Sequence, residues 1–395
     1  MKIAYLTAQY YPDFGGAEVC VHNICRTLAD QEDEAVVITT VAGPPAEPDF
    51  NYGIIRLWNR TCGLLRKVPF LGKFYLHTVL DELQKEHQFD LWQVTGGYPM
   101  GVYAVEFFRK NNIPCILRCC GEDIQKFPEI GYGYRLNPKI DELACRYYPM
   151  FDGLVALTPT VLEEYRQLGI PDGKVRIIPN GCDSAKFAAI KRDNDKICEL
   201  RRKYGAEDKK IILTTGRYHP KKGFDRIPEI AAYLKKSGMD FIWIIAGKGN
   251  GVILEKFPEA ENLGIICVED VVSSKGVFSL PPDSLIELYC MADIYVFPTL
   301  IETFGMVLVE AMAAGLPIVT TDAPGVRDVI EDGVNGVKVP VDDTSALAEK
   351  TAEILSDETR YRELSDNVLA MAADKYDWKV VTGHYIDFYR SLTGK

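Results

Sequence analysis

No stretch of the chain approaches the roughly 18 consecutive apolar residues that a membrane-spanning helix needs. No C-x-x-C pair stands among its eleven cysteines, and its five histidines are as dispersed as the thiols, so no structural zinc site can be read. Most of the thiols are expected to be reduced and packed as small apolar residues. Basic charge is scarce as well. Lys and Arg number 45 against 56 Asp and Glu, a formal net charge of −11. That balance argues against a nucleic-acid partner and requires any anionic ligand to be held by local positive charge. The opening strand-like run from Lys2 to Thr7 is too short for a signal peptide and lacks its small-residue cleavage site. A cytoplasmic protein is expected, with one segment suited to the inner face of a membrane.

What the chain has is alternation. Its 395 residues, 47% apolar and 26% charged, suit two domains, each with its own core. Apolar strands are expected at Ile3 to Ala8, Ala35 to Val41, Leu91 to Thr95, Ile113 to Arg118, Gly153 to Leu157 and Val175 to Ile178. Amphipathic stretches separate them, the pattern of a parallel sheet covered on both faces. The first βα turn of this Rossmann-like half lacks G-x-G-x-x-G, which argues against a nicotinamide dehydrogenase. The alternation restarts at Ile211 to Thr215, Phe241 to Ala246, Leu263 to Val268, Ile294 to Phe297, Ile318 to Thr320 and Val337 to Val339. A boundary is expected near residue 190, before the charged run from Lys191 to Lys196, giving domains 1–190 and 191–378. Two such α/β domains facing one another make a cleft between sheet carboxyl edges, where ligands of open α/β sheets bind.

The most informative stretch runs from Thr299 to Gly315. The strand Ile294 to Phe297 leads through Pro298 and a short loop into a helix-forming run. With a helix beginning near Phe304, the amides of Thr303, Phe304, Gly305 and Met306 form a positive end suited to phosphate oxygens, and Val307 follows in the first turn. Glu310 then stands roughly 9 Å along the axis, about the span from a diphosphate to a ribose, while Glu302 faces whatever hangs on the other phosphate. On spacing alone, the two acids also read as a first-turn acid and a solvated helix residue. Ahead of this stretch, Gly216-Arg217-Tyr218-His219-Pro220-Lys221-Lys222-Gly223 places Arg217 and Lys222 where both can converge on a diphosphate; His219 reads as a loop residue. The glycine-rich turn Ala246-Gly247-Lys248-Gly249-Asn250-Gly251 lets the backbone approach a nucleotide. Ser284-Leu285-Ile286-Glu287 has the form of a capping box.

The text from Phe297 through Glu302-Thr303-Phe304-Gly305 to Glu310-Ala311-Met312-Ala313-Ala314-Gly315 resembles the E-x7-E signature of the retaining glycosyltransferases of family four, which have the GT-B fold. Gly216 to Gly223 matches that family's G-R-x-x-x-x-K-G, and Val175 to Asp183 its V-x-V-I-P-N-G-V-D with Cys182 in place of valine. Gly15-Gly16-Ala17-Glu18 stands where the family's glycine loop approaches the donor's phosphate and transferred sugar. The resemblance implies a nucleoside diphosphate-sugar donor, with Glu302 catalytic and Gly15, Gly16, Arg217, Lys222, Gly247, Lys248, Thr303 to Val307 and Glu310 binding it. It implies retention of configuration, with the leaving phosphate taking the acceptor's proton, and neither cofactor nor metal. Val268 to Leu280 should lie near the base, and the tail with Trp378, Val381, Tyr385 and Tyr389 resembles the family's last helix, which returns at 379–395 to the first domain. One departure stands out. Cys119-Cys120-Gly121-Glu122-Asp123 has Cys120 where many members carry histidine, while Asp123 fits the family's acid and is expected to be catalytic with Glu302; Glu122 and Asp123 are candidates for hydroxyl contacts. Rival readings are a GT-B sugar-nucleotide epimerase and a non-catalytic sugar-nucleotide binder.

Asn59 to Tyr75 is unlike the rest. Arg60, Arg66, Lys67 and Lys73 alternate with Leu64, Leu65, Val68, Phe70, Leu71, Phe74 and Tyr75, without a single acid. The segment reads either as a membrane-surface patch, suited to a lipid-linked glycan or polysaccharide precursor as acceptor, or as a partly buried loop-and-helix edge.

Overall fold

The apolar runs form two parallel sheets. The computed structural model describes residues 1–12, 15–44, 48–190, 194–271 and 280–395. The chain divides into two units: Met1–Asn180 together with Trp378–Lys395, and Gly181–Asp377. The division falls ahead of position 190, so the short helix Ser184–Ala188 belongs with the second unit.

In the first unit, β1 (Lys2–Thr7), β2 (Glu34–Thr39), β3 (Gly53–Arg56), β4 (Leu91–Thr95), β5 (Cys115–Arg118), β6 (Gly153–Ala156) and β7 (Val175–Ile177) form a seven-stranded sheet. Its order is β3-β2-β1-β4-β5-β6-β7, with Ile3 opposite both Ala35 and Leu91. All residues of β4 are buried, because helices cover both faces and no polar face is needed. Strand β3 escapes a reading by pattern, since Gly53 and Arg56 leave two apolar residues on an edge. The strand order reverses at β1 and β4, and the turn from β1 leads to Gly15 and the helix Gly16–Ala29.

The helix Trp378–Thr393 packs in this same unit, burying Trp378, Val381, Tyr385, Phe388 and Tyr389. Tyr389 donates to Gln93 Oε1 at 2.8 Å and shares a 2.8 Å hydrogen bond with the Tyr5 hydroxyl, so its polar tip is satisfied under the sheet. At Gly153 a Cβ would stand 2.5 Å from the Phe388 ring. The missing side chain is what lets the helix close on β6.

The second unit carries β8 (Lys210–Thr215), β9 (Phe241–Ala246), β10 (Ile265–Val268), β11 (Ile294–Phe297), β12 (Ile318–Thr321) and β13 (Val337–Val339), in the order β10-β9-β8-β11-β12-β13. Here the order reverses between β8 and β11, the position where the carboxyl ends of such a sheet diverge to leave a crevice. The buried Trp243 indole donates to Thr214 Oγ1 at 3.0 Å, and that hydroxyl donates to the Val296 carbonyl at 2.5 Å. This ties β9, β8 and β11 together beneath the crevice.

Candidate active site

The loop after β8 is shaped by a short turn, Pro220–Lys222, capped by His219, whose Nδ1 accepts from the Lys221 amide at 3.2 Å. His219 is thus a loop residue, as its sequence context suggests. Gly223 follows at φ 65°, and a Cβ there would stand 2.0 Å from the Pro298 carbonyl oxygen. Only glycine allows the loops after β8 and β11 to press together so closely. The Lys221 carbonyl then accepts from the Leu300 amide at 2.7 Å and from Thr299 Oγ1 at 2.9 Å.

This joint delivers Lys222 to Glu302. Their side chains are ion-paired, the ammonium lies 5.1 Å from the centroid of the Phe297 ring, and Lys221 Nζ stands 3.9 Å from the other carboxylate oxygen. Burial works to raise the Glu302 carboxyl, but the charges of Lys222 and Lys221 outweigh it and hold the group below its ordinary value. Glu302 therefore stays anionic well below neutral pH. It is neither the exposed first-turn acid of the plainer reading nor a proton donor.

The helix itself is Met306–Ala313, two residues shorter at its start than the spacing suggests, because Gly305 is its cap at φ 87°. Phe304 leaves the helical path to bury its ring edge-on against Tyr376, centroids 5.8 Å apart. The open amides consequently shift forward: Met306 and Val307 lie in the first turn, while Thr303 and Phe304 belong to the loop. Glu310 stands one turn into the helix, roughly 6 Å along its axis rather than 9. It is buried, not solvated. Tyr289 OH donates to its Oε2 at 2.9 Å. Burial pushes the Glu310 carboxyl up to about 7, against the pull of that hydrogen bond and of Lys222.

The glycine-rich turn packs beside this loop. A Cβ at Gly247 would lie 2.2 Å from the Gly216 carbonyl oxygen, to which Asn250 Nδ2 also donates at 3.0 Å. Gly247 thus serves loop-to-loop packing. Arg217 and Lys248 are exposed, and among the described residues Arg217 makes no ion pair. The stretch expected near the base falls chiefly on residues 272–279, outside the described residues. The capping box at Ser284 does not form: the helix Asp283–Met291 is capped by Pro282, and Glu287 is ion-paired with Lys196.

In the first unit, Gly15 caps the helix Gly16–Ala29 and its amide donates to the Glu18 carboxylate at 2.8 Å, so an acid of the chain itself occupies part of that positive end. Asp123 accepts three backbone amides, Gly97 at 2.6 Å, Cys120 at 2.8 Å and Gly121 at 2.9 Å. Those bonds pin two loops at the carboxyl edge of β4 and β5. Cys120 is likewise engaged, accepting from Arg118 Nη1 at 3.4 Å. Arg118 was not singled out by its sequence. Its guanidinium, wholly buried, also donates to Tyr385 OH at 3.2 Å and Asn180 Oδ1 at 2.6 Å, knitting the cysteine loop, the Asn180 turn and the last helix. Tyr289 was missed too. The available signal was a phenol inside an apolar helix just ahead of the acid motif, because a buried hydroxyl needs a partner.

Among the described residues, no group of three or more His, Cys, Asp or Glu side chains is disposed to hold a metal ion, and no helix is long and apolar enough to cross a membrane.

A paired lysine and carboxylate ahead of an open helix end, with a second acid one turn inside it, stand at the switch point of a parallel sheet, and their chemistry suits a phosphorylated, hydroxyl-bearing ligand. Residues 14–186 match the family described as Glycosyltransferase Family 4 and residues 196–370 that described as Glycosyl transferases group 1. The chain belongs to the family-four-like group 1 glycosyltransferases. It is 30% identical over 195 residues to the alpha-D-kanosaminyltransferase of Streptomyces kanamyceticus, covering 49% of each chain. It is 22% identical over 389 residues to the alpha-monoglucosyldiacylglycerol synthase of Streptococcus pneumoniae, covering 98% of this chain and 86% of that one. The chain spans about half the length of curated relatives such as the first. Its fold is that of Anabaena HepE crystallised with UDP, with a TM-score of 0.76 at 20% identity over 99% and 100% of the two chains. The two-sheet α/β architecture is GT-B.

Proposed function

We propose that the protein transfers a sugar from a nucleoside diphosphate-sugar to an acceptor hydroxyl, with retention of anomeric configuration. The observation that carries the reading is the convergence of Lys222, Glu302, the open amides of Met306 and Val307, and Glu310 on one side of the second sheet. The amides, Arg217 and Lys222 neutralise the diphosphate, Glu310 accepts from the ribose hydroxyls, and Glu302 accepts from hydroxyls of the transferred sugar. The bond from the anomeric carbon to phosphate oxygen breaks while the acceptor oxygen bonds the same face. The acceptor's proton passes to the leaving phosphate, so no protein base is required and no divalent ion is invoked. Asp123, engaged with three amides, acts by shaping the loops at Gly97 and Cys120. Gly15 and Gly16 belong to the same loop edge of the first unit.

For the acceptor we propose a lipid-linked molecule at a membrane surface, met by the first unit. In support, the helices Thr61–Lys67 and Pro69–His87 press together where Gly72 meets the Leu65 backbone; a Cβ would stand 2.7 Å from its nitrogen. The tight pair presents Phe70 at 83%, Phe74 at 70% and Leu71 at 54% exposure, beside exposed Arg60, Arg66 and Lys67. Lys73 is committed to Glu106, which leaves three of the four cations facing solvent. The kinship with an alpha-monoglucosyldiacylglycerol synthase points the same way.

The test is a thermal-shift screen of nucleoside diphosphate-sugars, followed by NMR of the product's anomeric proton in the presence of EDTA. Stabilisation by a donor and a product of the donor's configuration are expected. An inverted product, or activity restored only by added magnesium or manganese, would overturn the mechanism; release of an epimer without transfer would replace it.

A further inference from the structure

Glu310 is a buried carboxylate whose only hydrogen bond among the described residues comes from Tyr289; its Oε1 takes none. Tyr289 is itself held on three sides. Its hydroxyl lies 2.6 Å from Thr215 Oγ1, at the last position of β8. A phenol has one proton, and with that proton given to Glu310 the Thr215 hydroxyl is the donor to Tyr289. The Tyr289 ring stacks on Tyr295, centroids 5.8 Å apart at 27°, and meets Phe187 edge-on at 5.7 Å. Tyr295 OH reaches the same Thr215 hydroxyl at 3.0 Å. A chain of contacts thus runs from the end of the central strand to the second acid of the motif.

We infer that Tyr289 is a positioning residue, which aims the free oxygen of Glu310 at paired hydroxyl groups of a ligand seated at the start of the helix Met306–Ala313. The inference rests on the nucleotide-sugar reading above and adds a regulation to it. Four titratable groups face Glu310: Tyr289 from the helix Asp283–Met291, Tyr295 from β11, Lys222 from the loop after β8, and Cys182 from the segment after β7. Only Lys222 is a cation, and its ammonium is committed to Glu302. Burial therefore leaves Glu310 titrating at about 7. A diol donates to a carboxylate but gains little from a carboxylic acid, so the grip on the ligand tightens as pH rises through neutrality and is steady above it.

The experiment is calorimetric titration of UDP-glucose and GDP-mannose into the full chain between about pH 5.5 and 8.5, where these diphosphate diesters do not titrate. For wild type, whichever probe binds should do so about tenfold more weakly at pH 6 than at pH 8, the ratio set by the ionised fraction of a group titrating at about 7. Glu310→Gln should bind with no pH dependence. Tyr289→Phe should move the midpoint to higher pH and weaken binding at pH 7 about three- to tenfold. Thr215→Val, which leaves the phenol in place, should move it the same way by less, and stands in if Tyr289→Phe does not fold. A flat wild-type profile, or folded Tyr289→Phe and Thr215→Val with the wild-type midpoint, would overturn the inference and leave nucleotide-sugar binding intact. Binding of neither probe at any pH would overturn both.

Discussion

Lys222 and Glu302, 80 positions apart in the sequence, form an ion pair with side chains only 15% and 6% exposed. Pairing outweighs burial at Glu302, whereas burial still holds the Lys222 ammonium below its ordinary value, so removing either partner leaves a buried charge uncompensated. Lys222→Ala should destabilise the protein by about 3–5 kcal/mol, and Glu302→Ala by a comparable amount. The double variant should lose less than the sum of the two. Denaturant titrations of the four proteins check this cycle, and strictly additive losses would count against the pair. Because the Glu302 carboxyl is held below its unfolded value, the pair's contribution is present above that value and is lost as pH falls through the folded one.

Glu310 has the opposite sign. Its folded carboxyl titrates at about 7, above the ordinary carboxylate range, so the folded state binds the extra proton and stability declines as pH rises from about 4.5 to 7. The penalty above pH 7 is about 3 kcal/mol. Glu310→Gln should accordingly raise Tm at pH 8 by several degrees and change it little at pH 5, while donor binding is weakened at pH 8 and no longer varies with pH. Equal shifts at the two pH values would contradict this sign.

Arg217 is exposed and unpaired among the described residues, so its loss should leave the fold untouched. Arg217→Ala is expected to melt as wild type yet bind nucleoside diphosphate about 1.5–3 kcal/mol more weakly. Calorimetry and thermal melts together decide it, and unchanged affinity would remove Arg217 from the site.

The apolar face at Phe70, Leu71 and Phe74 should seat on anionic bilayers. Each of the three nearby cations contributes about 1 kcal/mol at such a surface, and insertion of the rings adds to it. Co-sedimentation with anionic vesicles should fall at least tenfold in Phe70→Ser/Phe74→Ser and also at high salt. Negligible pelleting of wild type, with full activity on a water-soluble acceptor, would refute the surface.

The fold class was legible because near-continuous apolar runs such as Leu91–Thr95 and Phe241–Ala246 belong to strands buried on both faces, and both are found where the pattern places them. Edge strand β3 was not, since Gly53 and Arg56 break its pattern. At the site, the two acids and Lys222 were visible as residue types at a spacing. Their partners were not, because the ion pair, the Tyr289 bond and the Phe304 contact with Tyr376 join residues distant in sequence. The helix starts later than its pattern suggests for the same reason: Phe304 continues a helical pattern but is buried against Tyr376. Asp123 shows the converse. Its sequence position suggests chemistry, whereas the three backbone amides that engage its carboxylate are seen only in the structure.

The helix Trp378–Thr393 packs with the first unit although the whole second unit precedes it in the chain. During synthesis, the contiguous segment Gly181–Asp377 has all of its strands before that helix leaves the ribosome. Tyr5, Gln93 and Arg118, made much earlier, still lack Tyr389 and Tyr385 at that moment. The unit translated first is thus the last to have all of its packing partners available.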